Sequence, residues 1–131
     1  MKTLTKIFML VIVLMFTSSS LSAWTKVKKI DDGTVYYVDF KSIKKQGGYS
    51  YFWALSDSPK ACIHGHLSGK IYKKVDCMLM RYQDLRFINY KQPMGLGPED
   101  RESYYSPKNH DWKYPKPNSS SEATLKAACG E

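Results

Sequence analysis

Cys62, His64 and His66 stand at alternating positions in Cys62-Ile63-His64-Gly65-His66. On an extended segment three such side chains point one way, and thiolate with imidazole is a donor set suited to zinc or copper. The set lacks a local fourth ligand, with His110 the remaining histidine. A second chemistry for the same stretch is a Cys62 nucleophile activated by His64, which requires hydrogen-bond geometry and a third, orienting group. A third is an intermolecular disulfide, and with it a homodimer, because three cysteines leave at least one without an intrachain partner. The alternative to all three is an exposed loop that carries two histidines, and that is the expectation adopted: no metal and no cofactor.

The other constellations are weaker as chemistry. Met94-Gly95-Leu96-Gly97-Pro98 has too few glycines and no strand–turn–helix setting for a phosphate loop, so it reads as a turn. Asp31-Asp32 and Glu99-Asp100 are adjacent acids in turn-like segments, where carboxylates are ordinarily solvated. A glycosidase would need two carboxyls facing each other across a cleft. With no motif in its required context, the chain is expected not to be an enzyme. Lys70, Tyr72 and Lys74 share one face of a strand and interleave cations with an aromatic ring. With Lys73 they are the expected contact patch, for acidic glycans, anionic lipid head groups or acidic protein surfaces. Trp24, Trp53 and Trp112 could form a recognition platform, but large aromatics in a small sheet domain belong by default to the core. Trp24 is the one expected to be exposed.

The elements that must position these residues begin after a secretory signal. Lys2 and Lys6 precede the apolar run Ile7–Phe16, small polar residues follow, and Leu21-Ser22-Ala23 offers a cleavage site. A cut just before Ala23 serves nearly as well. Ten apolar residues are too short for a hydrocarbon core of ~30 Å, so no transmembrane anchor is expected. Residues 1–23 are thus the signal and 24–131 one exported domain, which makes nucleic acid an improbable partner. The chain carries a formal charge of +8, two units of which leave with the signal, and its ten Tyr, five Phe and three Trp suit a half-buried sheet.

Trp24–Ile30 and Thr34–Phe40 flank Asp31-Asp32-Gly33 and read as a hairpin. Lys41–Gln46 reads as a helical turn or loop before Gly47-Gly48. Tyr49–Leu55 is a strand with Tyr49, Tyr51 and Trp53 on one face. Leu67–Tyr82 reads as one long strand with Leu85–Tyr90 as its partner, and residues 93–117, rich in Pro and Gly, as irregular chain. Ser119 and Glu122 have capping-box spacing, Leu125 and Cys129 share a helix face, and Gly130 is a stop. The fold class is α+β: an antiparallel sheet of about five or six strands with a C-terminal helix. Three single disulfides are open to the cysteines. Cys77–Cys129 is preferred, since Cys77 lies in a strand-like run and the helix ending at Cys129 needs a tether. Closing a loop of about fifty residues contributes roughly 4 kcal/mol in the chain-entropy model.

These residues resemble the surface-adhesin protein E family of Gram-negative bacteria. The likeness lies in Trp24, Gly33, Tyr36-Tyr37-Val38-Asp39, Ser42-Ile43 and Trp53-Ala54-Leu55-Ser56-Asp57, and continues in Lys73-Lys74-Val75-Asp76-Cys77, Met94-Gly95-Leu96-Gly97, Trp112 and Leu125–Cys129. It implies a six-stranded antiparallel sheet with a C-terminal helix tethered by a disulfide, matched here by Cys77 and Cys129. It further implies adhesion to host extracellular-matrix or serum proteins, with no catalytic residues to carry over. The archetypal adhesin is a lipoprotein, and no cysteine stands at the expected cut here. A periplasmic or secreted protein is therefore expected, with an envelope-maintenance role and no host ligand as the alternative to adhesion.

Overall fold

The computed structural model describes residues 24–105 and 111–130; the expected signal segment and His110 lie outside them. The strand β1 (Trp24–Lys29) pairs antiparallel with β2 (Val35–Asp39), as the Asp-Gly turn predicts. Asp32 Oδ1 accepts from Thr34 N at 2.8 Å, Ile30 N donates to Thr34 O at 3.0 Å, and Gly33 N donates to Ile30 O at 3.0 Å. Gly33, at φ 90°, takes the left-handed position that a side chain resists.

Five more strands complete one antiparallel sheet: β3 (Lys44–Gln46), β4 (Tyr49–Asp57), β5 (Ser68–Asp76), β6 (Arg81–Tyr90) and β7 (Glu99–Tyr105). Their order is β1-β2-β4-β5-β6-β7, with β3 pairing the first residues of β4 where β2 does not reach. Three expectations are corrected here. The run Leu67–Tyr82 is not one strand but the whole of β5, a turn at Cys77–Met80, and the first two residues of β6. Asp76 makes that turn, its Oδ1 accepting from Met78 N and Leu79 N at 3.1 Å while Oδ2 accepts from Arg81 Nε at 3.0 Å. The helical turn expected in Lys41–Gln46 is present as a 3-10 turn, Phe40–Ser42, but Lys44–Gln46 is strand β3 rather than loop. The stretch read as irregular contains β7, an edge strand that leaves its outer side outside the ladder.

The helix α1 (Ser120–Cys129) starts where its capping box predicts. Ser119 Oγ accepts from Glu122 N at 3.2 Å, and Gly130 closes the helix in the left-handed conformation. Leu125 and Ala128 turn inward onto Val38, Phe52, Ala54 and Val75, the core between helix and sheet. Cys77 and Cys129 are bonded across a separation of 52 residues, pinning the end of α1 to the end of β5. The main core thus lies on one face of the sheet; on the other, Leu55, Ile88 and Tyr90 are buried at one end and the middle stays open.

Candidate functional site

Alternation along β4 sends Phe52 and Ala54 to the helix and Tyr49, Tyr51, Trp53 and Leu55 to the opposite face. The β4–β5 register then fixes their neighbours: Tyr51 faces Lys74, Trp53 faces Tyr72, and Leu55 faces Lys70. In the middle of this open face Tyr72 lies between two rings, 6.3 Å from Tyr51 and 5.0 Å from Trp53 between centroids. These distances suit favourable aromatic pairing. Arg86, exposed, stands opposite Tyr72 on β6 and extends the row.

Both ends of the row are covered. The 3-10 turn Pro93–Gly95 lies over Leu55 and Lys70. It is held there by Met94 N donating to Asp57 Oδ1 at 2.7 Å and Gly95 N donating to Ser68 Oγ at 2.8 Å. A Cβ on Gly95 would stand 2.7 Å from Lys70 Cε and 3.3 Å from Leu55 Cδ1, and φ is 63°, so only glycine lets the turn sit this close. At the other end Lys113 exchanges backbone hydrogen bonds with Tyr82, at 2.8 and 2.9 Å, which swings Trp112 over the sheet. Trp112 lies 5.4 Å from the Tyr49 ring. Lys74 Nζ is 4.2 Å from the Tyr49 centroid, 5.5 Å from Trp112 and 5.9 Å from Tyr51, while the Arg81 guanidinium covers Trp112 at 4.3 Å. The cations of this face are held among its rings rather than waving free. Lys70 Nζ likewise sits 5.0 Å over Tyr90.

Of the expected patch, Lys70, Tyr72 and Lys74 share this face. Lys73 does not. One residue out of phase, it points under the helix, where its buried ammonium pairs with Asp84 and lies 4.5 Å over Tyr82. The tryptophans also depart from expectation, because the core is built from smaller aliphatic side chains and Phe52. Trp53 and Trp112 belong to the open face, and Trp24, expected to be exposed, is half-buried opposite Asp39. Trp53 and Trp112, weighed as a recognition platform but assigned by default to the core, are on this face, and Tyr51, Arg81 and Arg86 join them without any expectation of a site role. The alternation of Tyr49, Tyr51 and Trp53 was the available signal.

The Cys62–His66 segment sits at the opposite end of β5 from the disulfide. Cys62 is exposed and is the free thiol; its Sγ lies 3.7 Å from His66 Nδ1. His66 Nε2 is 2.6 Å from Asp100 Oδ2 on β7. That hydrogen bond raises the His66 pKa above its ordinary value, and the nearby thiol adds to the effect. The backbone of His66, then that of His64, lowers the Cys62 pKa, with the His66 side chain contributing in the same sense. His64 stands aside, its ring 6.2 Å from that of His66. Among the described residues no group of three or more His, Cys, Asp and Glu is placed to hold a metal ion. Nor is any helix among them long and apolar enough to cross a membrane.

The fold defines the class: a single-sheet α+β domain with a disulfide-tethered C-terminal helix on one face and an aromatic, cationic surface on the other. The family model described as surface-adhesin protein E matches residues 24–130, and the chain belongs to that family. Crystal form II of Haemophilus influenzae protein E matches with a TM-score of 0.63 at 18% identity, covering 86% of this chain and 91% of that one. Another Haemophilus influenzae protein E structure gives 0.62 at 18%, covering 86% and 88%. Protein E from non-typeable Haemophilus influenzae gives 0.59 at 18%, covering 86% and 79%. At this identity the likeness concerns the fold. No curated protein matches the sequence.

Proposed function

We propose that this chain is an exported, non-enzymatic adhesin that binds host extracellular-matrix or serum proteins through the open face of its sheet. The observation that supports this reading is the Tyr51–Tyr72–Trp53 row, half-buried rings on a face the helix does not use, in a member of an adhesin family. Tyr, Trp and Arg are the side chains enriched among the contacts that dominate protein–protein binding, and Tyr and Trp present large area at low entropic cost. Lys70 and Lys74, flanking the row, would steer acidic partner surfaces, so association should slow as salt rises.

An adhesin must reach the outside of the cell. Protease accessibility on intact cells, compared with cells whose outer membrane has been permeabilised, tests this. Digestion of the protein on intact cells agrees with the proposal. Protection until permeabilisation would make it an envelope resident and leave the fold as its only link to adhesion.

A further inference from the structure

The loop between β4 and β5 carries chemistry that adhesion does not use. Cys62 N donates to His66 O at 3.0 Å and Gly65 N donates to Cys62 O at 2.8 Å, a tight turn that sets the two side chains against each other. The imidazole is fixed from its far side by a carboxylate belonging to a different strand, 34 residues along the chain. With Nε2–H donating to Asp100, Nδ1 is left as the acceptor facing Cys62 Sγ at 3.7 Å. Thiol, imidazole and carboxylate in that order are the arrangement of an activated nucleophile. The third group missing from the sequence motif is thus Asp100, and the base is His66, not His64. Beside the thiol, Ile63 is 95% exposed, an apolar side chain held out in water next to a nucleophile.

We propose that Cys62, His66 and Asp100 form a thiol–disulfide exchange site whose substrate is an exposed disulfide, borne by a partner protein or by a small molecule. The Cys62 proton passes to His66 Nδ1. The thiolate then attacks one sulfur of the substrate disulfide, a new S–S bond forms at Cys62, and the substrate S–S bond breaks. The departing thiolate takes the proton back from the His66 imidazolium, so one disulfide is exchanged for another with no net oxidation. Acyl transfer fits the site less well. The Cys62 backbone N–H, a donor such a site would aim at an oxyanion, is already given to His66 O. Hydrogen bonding to Cys62 favours the thiolate, and Asp100 favours the imidazolium, so the two ionised forms support each other.

The test uses the purified protein with its Cys77–Cys129 bond intact. Glutathione disulfide is the first probe and insulin, which carries protein disulfides, the second. Intact-mass analysis under non-reducing conditions follows mixed-disulfide formation from pH 4 to 9. Exchange should level off at a lower pH than the ~8.5 midpoint of an ordinary thiol, and Cys62→Ser should abolish it. Asp100→Asn and His66→Gln should each slow it roughly 10-fold near pH 6 and move the profile upward, while His64→Gln leaves it in place. Asp100→Glu, which keeps the carboxylate, should restore part of the rate and serves if Asp100→Asn folds poorly. A wild-type profile like that of free cysteine, or one unmoved by His66→Gln, would overturn the proposal. Slowing by Ile63→Ser with insulin alone would identify a protein partner; no slowing with either probe would identify the small disulfide.

Discussion

Removing the Cys77–Cys129 bond isolates the link between chain topology and stability. The double variant Cys77→Ala/Cys129→Ala is the perturbation, because a single change would leave a new thiol free to pair with Cys62. The bond closes a separation of 52 residues. Chain-entropy reasoning gives a destabilisation of about 4 kcal/mol for a loop of that size. At roughly 4 °C per kcal/mol for a domain of about 100 residues, the thermal midpoint should fall by about 15 °C. Circular dichroism at increasing temperature measures this directly. The variant should stay helical when cold, since Leu125, 1% exposed, and Ala128 still dock on Val38, Phe52 and Val75. A fall of less than about 5 °C would refute the reasoning, by showing that the bond restricts the unfolded chain far less than its loop length implies.

Two further predictions follow from ion pairs. Asp84→Asn leaves the buried Lys73 ammonium without its carboxylate and should cost about 3 kcal/mol in urea unfolding; a cost below about 1 kcal/mol would mean that Lys73 escapes to solvent. Asp76 is held below the usual aspartate range, chiefly by the Leu79 backbone N–H, with Arg81 and Met78 contributing. Its folded pKa is depressed, so its contribution is present above the unfolded value of ~3.9 and is lost as pH falls through the lower folded one. The difference in urea midpoint between wild type and Asp76→Asn should therefore narrow below about pH 4, and a pH-independent difference would reject that account.

The parts of the fold that were legible are those whose signals are local. The capping box at Ser119 and Glu122, the stop at Gly130 and the Asp-Gly hairpin each state their own boundaries. The break between β5 and β6 carries no Gly or Pro. It is made by one carboxylate accepting from two backbone N–H groups and by Met80 at φ 49°, which no turn residue announces. Strand β3 is Lys44-Lys45-Gln46, exposed along its length, so hydrophobic alternation had nothing to mark. For the site, period-two alternation placed Lys70, Tyr72 and Lys74 together. The same rule, applied to Lys73, removes it from the patch. What alternation cannot supply is contact between distant segments. Trp112 over Lys74 and Asp100 against His66 depend on how the chain returns along the edge of β6.

The central claim is that the open face binds. Immobilised matrix and serum proteins, probed with the native protein and with Trp53→Ala/Tyr72→Ala, test it most directly. Thermal midpoints would establish that both are folded. The account predicts saturable binding to at least one host protein, weakened at least 10-fold in the variant, as expected for central aromatic contacts worth about 2 kcal/mol. Binding of equal strength by the two proteins would contradict it, and would move the adhesive surface away from this face.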